Sequence, residues 1–338
     1  MLKYSVVNGF NSVDPIKWND FVLSHPNGNI FQTPGFYSFI AEIPFYEQVV
    51  IAAFAEDGTM AGILCGVIQK EKGFIKSLFS SRLIVWGGPL TQDSDSSVAD
   101  LLLEAMIKEY SRKSIYIEFR NMFPMENVAG YFKNHRFSYS EHLNFIINTE
   151  NKDLALKKIS SGKSRQIKKS LKNGAKILAE VSIAQLREFY DILKTLYHIK
   201  VKKPLPEWEF FEKFYYNPAL GRYLLIEYHG AIIGGIMCPV YNNQIIYEWY
   251  IAGEDGKHEG VYPSILATWA PIDYAINNGF RQFDFLGAGK PGEDYGVRDF
   301  KSTFGGELVS YGRFIRVNNR VLYNLGKAGL ALLKRLKK

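Results

Sequence analysis

Cysteine is scarce in this sequence of 338 residues, and the two that occur stand far apart. Cys65 and Cys238 each lie inside an apolar run with the composition of a buried β-strand. Two isolated thiols exclude a disulfide framework, and free cysteine in such runs is usually a buried structural residue. We therefore expect two structural thiols and a reducing compartment, the cytoplasm.

Long hydrophobic runs are also missing. No apolar stretch approaches the ~20 residues that a membrane-spanning helix needs, and the first residues lack the apolar core of a secretion signal. An apolar content of 47% with 22% charged residues is typical of a folded protein. Because one hydrophobic core rarely serves a chain of this length, the sequence predicts about two domains.

The signatures of several enzyme classes are absent. The six histidines never occur at metal-ligand spacing, and no H-E-x-x-H, C-x-x-C or G-x-S-x-G is present, so we expect neither a metal site nor a hydrolase of the nucleophile-elbow type. A G-x-G-x-x-G occurs at Gly287, Gly289 and Gly292, but Pro291 follows where a nucleotide-binding helix would begin. These glycines predict a loop at a strand end, not a dinucleotide site.

Acidic residues are nearly absent from two segments. Residues 152–176 contain nine Lys or Arg and one acid, and residues 313–338 contain eight and none. Either segment suits phosphates, an anionic membrane surface or an acidic ligand. Within 320–338, apolar residues recur at near-helical spacing among the lysines. This pattern predicts a basic amphipathic helix, which either packs on a domain with its lysines in solvent or lies on anionic lipid.

Two stretches of the chain resemble each other. AEDGTMAGILCGVI and EYHGAIIGGIMCPV each predict a β-hairpin, with turns at Gly58 and Gly230, 172 residues apart. In both halves an amphipathic helix pattern and then an acid-bearing strand follow. The repeated order predicts a duplicated α/β (α+β) domain. We expect a first domain over 1–150, a second over 151–319 and the basic helix over 320–338.

Three charged residues stand among apolar ones in the second half. IIYEWYIAG predicts one continuous strand that carries Glu248, and Asp284 lies in a second apolar strand. An acid in such a strand must be paired, protonated or beside a cleft. Lys301, between Phe300 and a turn at 304–306, is either a solvated lysine or a cation fixed in an aromatic site.

Four stretches, taken in order, carry a resemblance to a known family. They are NIFQTPGFYSF, SSGKSRQIKKSLKNG, GVYPSILATWAPIDYAINNGFRQFDFLGA and GVRDFKSTFGGE. Their order resembles the FemABX-type proteins, the duplicated branch of the GNAT acyltransferase superfamily. Phe36 stands where that family often has tryptophan. GKHEGVYPS replaces the usual CoA-binding signature, which disfavours acetyl-CoA as donor, and residues 155–200 lack the heptads of the coiled-coil arm that some members carry.

The resemblance implies two tandem GNAT-like domains, each a central mixed sheet flanked by helices, and an acyltransferase. The reaction it implies is N-acyl or aminoacyl transfer to an amine of a cell-wall (peptidoglycan) or surface-polysaccharide precursor. It implies Lys301 as the cation that stabilises the developing oxyanion. Glu248 or Asp284 would position the acceptor amine and take its proton. Further substrate-binding candidates are Arg165 and Lys168, which suit a phosphate, and Tyr250, Tyr262, Tyr295 and Arg298.

The substrates are left open at this point. We expect no tightly bound cofactor, a donor that is aminoacyl-tRNA or acyl-CoA, and a small-molecule or lipid-linked glycan precursor as acceptor. Transfer RNA and the inner face of an anionic membrane, reached through the basic tail, are the further partners considered. Two alternatives stay open: an acyl-CoA- or carrier-protein-dependent N-acetyltransferase acting on a soluble amine, and a non-catalytic protein that binds glycan precursors or tRNA.

Overall fold

The computed structural model describes residues 4–73, 79–92 and 95–336, with side chains as far as Gly329. The strands are β1 (Ser5–Asn8), β2 (Tyr46–Phe54), β3 (Met60–Gln69), β4 (Arg82–Trp86), β5 (Leu90–Thr91), β6 (Tyr116–Arg120), β7 (Ser138–Ser140), β8 (Leu143–Asn148), β9 (Lys176–Leu178), β10 (Gly221–Tyr228), β11 (Ala231–Tyr241), β12 (Ile245–Tyr247), β13 (Tyr250–Gly253), β14 (Gln282–Asp284), β15 (Glu307–Ser310) and β16 (Arg313–Val317).

The helices alternate with these strands. They are α1 (Pro15–Ser24), α2 (Pro34–Ala41), α3 (Ser96–Tyr110), α4 (Ala129–Asn134), α5 (Lys152–Lys158), α6 (Ser161–Lys172), α7 (Ile183–Leu196), α8 (Trp208–Tyr215), α9 (Pro263–Asn277), α10 (Gly296–Ser302) and α11 (Arg320–Leu336), with short 3-10 turns at Phe10–Ser12 and Ile30–Gln32 and a π-helical turn at Tyr197–Val201. None of the described helices is both long and apolar enough to span a bilayer.

The chain forms two units, each built on an eight-stranded mixed sheet. The first sheet has the order β1-β2-β3-β4-β6-β16-β7, with β5 paired to β3. The second has the order β15-β8-β14-β12-β11-β10-β9, with β13 paired to β11. In both sheets the single parallel pairing, β4 with β6 and β12 with β14, follows a crossover helix, α3 or α9. The expected fold, two α/β domains with a mixed sheet and flanking helices, is confirmed.

The two expected hairpins are the longest strand pairs of their sheets. β2 pairs with β3 and β10 with β11, around turns in which Gly58 and Gly230 have φ of +81° and +82°. Glycine takes this left-handed conformation without a steric penalty. Strands β3 and β11 are buried along almost their whole length because helices cover the sheets. Cys65 and Cys238 lie in these strands, and burial raises the pKa of both thiols well above its usual range.

Each sheet is completed by a strand that the other half of the chain delivers. β8 follows β7 after two residues but pairs with β14 and β15 in the second sheet. β16 follows β15 after two residues and pairs with β6 and β7 in the first. The compact units are therefore Met1–Glu141 with Tyr311–Lys338, and His142–Ser310. These limits differ from the expected ones at 150 and 319, because β8 and β16 each belong to the sheet with which they pair.

In the first unit, the amide of Gln32 fills an opening between two strands. β3 pairs with β4 only from Val67 onward. Nearer its start, the Gln32 side chain donates to the carbonyls of Cys65 (3.0 Å) and Trp86 (2.8 Å) and accepts from the amide of Cys65 (3.0 Å). Gln32 is fully buried. The glutamine of NIFQTPGFYSF thus supplies the hydrogen bonds that the two diverging strands cannot give each other.

Replacing Gln32 by leucine should therefore destabilise the first unit. The variant keeps the volume but leaves three buried backbone groups unpaired, at about 1–3 kcal/mol for each group, so we expect a loss of at least about 2 kcal/mol in urea unfolding. Gln48→Leu is the control, because Gln48 bonds a single carbonyl, that of Tyr37. Equal losses in the two variants would contradict the assignment.

A buried ion pair fastens β16 to β6. Arg313 Nη1 lies 2.7 Å and Arg120 Nε 3.3 Å from Glu118 Oε1. Burial alone would raise the pKa of Glu118, but the charges of Arg120 and Arg313 reverse this and lower it to about 2. Burial, together with the charge of Arg120, lowers the pKa of Arg313 to about 10, which leaves it charged at neutral pH. Glu118 is the acid expected in the strand of the first half, and its role is structural.

The depressed pKa of Glu118 predicts a defined acid sensitivity. Its ordinary value is 4.5 and its folded value about 2, so its contribution, on the order of 3 kcal/mol, is complete above pH ~5 and is lost as the pH falls towards 2. Unfolding of wild type and Glu118→Gln, followed from pH 7 to pH 3, should give free energies that converge as the pH falls. A constant difference between the two proteins would show that Glu118 is not the titrating group.

Candidate active site

The strands of the second sheet diverge at Glu248 and leave an opening between them. β12 ends at Tyr247, which pairs with Asp284 of β14, whereas β13 begins at Tyr250 and pairs with β11. The prediction of one continuous strand through IIYEWYIAG was therefore wrong: two strands diverge here, and the break carries the acid. The amide of Glu248 donates to the carbonyl of Asp284 (2.9 Å). Both predicted acids thus lie at the opening, one on each edge.

Lys301 is a buried cation with all of its donors engaged. Its Nζ lies 2.7 Å from Glu248 Oε1 and donates to the carbonyls of Phe285 (3.0 Å) and Gly287 (2.8 Å). The side chain is 9% exposed, and its Nζ lies 5.1 Å from the centre of the Phe285 ring. Because an ammonium has three N–H groups, this geometry satisfies it fully. The alternative of a solvated lysine is excluded.

Asp284 faces an asparagine that the sequence analysis missed. Asp284 Oδ1 accepts from Asn144 Nδ2 (2.7 Å) and from the amide of Leu286 (2.6 Å), and Asn144 Oδ1 accepts from the amide of Gly287 (2.7 Å). Burial raises the pKa of Asp284, against these hydrogen bonds and the charge of Lys301. Asn144 lies 140 residues away on β8, and nothing in the sequence pattern links it to this site.

The predicted loop after β14 is held at most of its backbone groups. Lys301, Asp284 and Asn144 each bond to it, and the amide of Ala288 donates to the carbonyl of Leu143. Arg298 donates from Nε to the carbonyl of Ala288 (3.0 Å) and from Nη2 to the carbonyl of Lys290. Leu286 has a φ of +53°, a conformation that costs about 1–3 kcal/mol and persists only under such restraint. We call residues 285–290 the clamped loop.

Two of the predicted tyrosines lie near this region. The ring of Tyr295 rests against Gly289 so closely that a Cβ there would collide with it, and the side chain is 41% exposed. Tyr250 begins β13, two residues from Glu248, and its ring packs 5.1 Å from Phe211. The structure therefore places Tyr295 on the clamped loop and Tyr250 beside the sheet opening.

Tyr197 is a second residue that the sequence analysis missed. It begins the π-helical turn after α7, and its ring lies 6.3 Å from that of Tyr250. Burial, together with the negative charge of Glu248, raises the pKa of Tyr197 to about 12, so its hydroxyl stays protonated at neutral pH. Turns of this type often occur at functional sites, but a π-helical turn has no signature in a single sequence.

Arg165, Lys168 and Tyr262 are not hydrogen-bonded to the ion pair. Both basic side chains are exposed on α6, and in the part of the chain that the structure describes neither forms a hydrogen bond or an ion pair with Lys301 or the two acids. Tyr262 is half-buried at the start of α9, where its amide donates to Ser170 Oγ of α6 (3.0 Å). The structure therefore unites Lys301, Glu248, Asp284 and Arg298 but leaves these three outside their hydrogen-bonded cluster.

The first unit has a corresponding opening without this chemistry. The amide of Gly87 donates to the carbonyl of Arg120 (3.1 Å), as that of Glu248 does to Asp284. Gly87 and Arg120 therefore stand where the second unit has its acids, and Asn29 Nδ2 donates to the Gly87 carbonyl (2.8 Å). Gln32 bonds the same end of β4 from the β3 side, through the Trp86 carbonyl, so side-chain amides satisfy the backbone groups around it.

The family comparison matches the segment that carries these residues. The FemAB family matches residues 232–328, a range that contains Glu248, Asp284 and Lys301. The aminoacyltransferase FemA of Staphylococcus epidermidis is 30% identical over 100 residues, which are 28% of this chain and 22% of FemA. The match thus spans about a fifth of that curated relative.

Similarity of fold extends over nearly the whole chain. The crystal structure of FemX covers 95% of this chain and 99% of its own, with a TM-score of 0.71 at 15% identity. The fold of the chain is FemX-like. A tandem GNAT protein from the clavulanic acid biosynthesis pathway covers 94% of this chain and 99% of its own, with a TM-score of 0.58 at 10% identity. The two units are therefore tandem GNAT-like domains, as the repeat and the resemblance predicted.

The burial of Lys301 predicts a large effect on stability. Lys301→Met would leave Glu248 buried without its cation, and breaking a buried pair in this way costs about 3–5 kcal/mol. The double variant Lys301→Met, Glu248→Gln should recover part of this loss, because the unpaired charge is removed. Lys176→Met is the control: its ion pair with Glu227 spans 3.6 Å and its side chain is 70% exposed, so we expect less than about 1 kcal/mol. A fully stable Lys301→Met protein would contradict the burial of the pair.

Proposed function

We propose that this chain is an aminoacyl- or N-acyltransferase of FemAB type that forms an amide bond on an amine of a cell-envelope precursor. The observation that carries the proposal is the Lys301–Glu248 pair at the sheet opening. It lies in the segment that matches the FemAB family, and the corresponding opening of the first unit contains neither group. The second unit would therefore carry the chemistry.

The transfer needs a proton acceptor and a stabiliser of negative charge. The acceptor amine attacks the ester carbonyl of the donor, the new C–N bond forms, and the C–O bond to the donor hydroxyl breaks. We infer that Glu248 Oε2 takes the proton that the amine loses, since Oε1 faces Lys301. The leaving oxygen of the donor then receives that proton, directly or through water, and becomes the free hydroxyl. The carboxylate of Glu248 is thereby regenerated.

Lys301 would support the developing oxyanion from a fixed position. In the resting structure its three N–H groups are engaged, so direct stabilisation requires one of them to turn from a carbonyl to the tetrahedral oxygen. The donor bonded to Gly287 is the one we assign, since that hydrogen bond is only partly buried, whereas the one to Phe285 is buried. Asp284, buried and bonded to Asn144 and Leu286, is then a positioning residue for that loop.

The start of α9 supports an ester donor over acyl-CoA. A free helix N-terminus suits a pyrophosphate, but here Asp255 Oδ1 accepts from the amide of Ser264 (3.0 Å) and Ser170 Oγ from that of Tyr262. An acid of the chain itself thus occupies the place where phosphates would bind and would repel them. We therefore favour aminoacyl-tRNA, with the exposed Arg165 and Lys168 available to its phosphates.

Substitution of Glu248 tests the proposal. Glu248→Gln keeps an oxygen for Lys301 but cannot take a proton, so turnover of an aminoacyl-tRNA with an amine-bearing precursor should fall by roughly 10²–10⁴-fold. Glu259→Gln, an exposed acid ahead of α9, should leave turnover unchanged. A folded Glu248→Gln protein with wild-type turnover would remove Glu248 from the reaction. Stabilisation of the wild type by acyl-CoA, but not by aminoacyl-tRNA, in a thermal-shift measurement would reverse the choice of donor.

A further inference from the structure

Helix α11 leaves the first unit from a firmly held start. The amides of Asn318 and Asn319 both donate to the carbonyl of Ile115 (2.9 and 3.0 Å), and Asn319 Oδ1 caps the helix at the amide of Leu322 (3.0 Å). One turn later, the ring of Tyr323 packs edge-on against Tyr116 at 5.5 Å. The side of the helix that carries Tyr323 is thus fixed to the first unit. The opposite side therefore has a fixed orientation, away from Tyr116.

Among the described residues, the outward side of α11 carries an exposed apolar stripe. Val321 is 68% and Leu325 53% exposed, and these positions are one helical turn apart on the same face. The helix continues to residue 336, and the sequence repeats the spacing with Leu332 and Leu336. Lys337 and Lys338 lie outside the described residues, as do the side chains from 330 onward.

Positive charge accompanies this stripe. Arg320 and Lys327 are exposed, and Lys327 Nζ lies 4.9 Å from the centre of the Tyr323 ring. The whole stretch 313–338 has eight basic residues and no acid. An apolar stripe on one face of a helix, with cations on its polar face, matches a surface that is anionic outside and apolar immediately beneath, which is the boundary of a bilayer with anionic lipid.

We propose that α11 docks in the plane of an anionic lipid bilayer, with Val321 and Leu325 in the acyl boundary and the basic residues at the headgroups. A helix of 17 residues is roughly 25 Å long and would lie along such a surface. The proposal extends the proposed function, on which it rests for one point only: a lipid-linked acceptor would lie in the same surface. Docking itself needs no transfer activity.

Vesicle co-sedimentation of the full chain tests the docking. The wild type should bind vesicles of phosphatidylglycerol with phosphatidylcholine, bind phosphatidylcholine alone much more weakly, and dissociate as salt screens the charges. The double variant Val321→Asp, Leu325→Asp should bind at least about tenfold more weakly. The matched control is Ile16→Asp, Leu308→Asp: these side chains are 71% and 51% exposed on other elements, so binding should stay at the wild-type level.

Three outcomes would overturn the proposal. They are equal binding by the wild type and the α11 variant, equal loss in the control variant, and a wild type that ignores vesicles but dimerises through α11 in sedimentation analysis. The two proposals can fail separately. If transfer to a soluble nucleotide-linked amine is intact and vesicle binding is absent, only docking is wrong; if vesicles bind and no transfer occurs with any donor, the proposed function is wrong and docking stands.

Discussion

The candidate site depends on one buried ammonium group. Lys301 binds the carboxylate of Glu248 and the carbonyls of Phe285 and Gly287. It thereby joins helix α10 and the clamped loop to the strand break at Glu248, which lies much earlier in the sequence. Burying this charge is tolerable only because every N–H has an acceptor. The same bonds hold Leu286 at a positive φ that it would not adopt alone. Without the cation, the loop would lose the bonds that hold the carbonyls of Phe285 and Gly287.

Duplication has given the two units one fold and different uses for the opening in the sheet. Diverging strands leave backbone groups without partners, and each unit must satisfy them. The first unit does so with the neutral amides of Gln32 and Asn29. The second places the buried Lys301–Glu248 pair there instead. Charged groups cost more to bury, and that cost is understandable at a site whose reaction creates and moves charge.

The exchange of strands makes each unit depend on the other half of the chain. Asn144 stands on β8, which follows β7 of the first unit after two residues, yet it holds Asp284 and Gly287 in the second. Glu118 in turn holds β16 through Arg313, after the second sheet is complete. A division at residue 150 would separate Asn144 from the site that it supports.

The sequence by itself determined the repeated hairpins, the crossover helices, the loop after Asp284 and the three charged residues that the site contains. These follow from local rules: strand and helix periodicity, glycine at turns, and the anomaly of a charge within an apolar run. Only the tertiary structure decided the strand break at Glu248, the hydrogen bond from Lys301 to the carbonyl of Gly287, and the roles of Asn144 and Tyr197. Each of these depends on which strands pair and where they diverge, and pairing between segments 140 residues apart leaves no trace in the periodicity of either one.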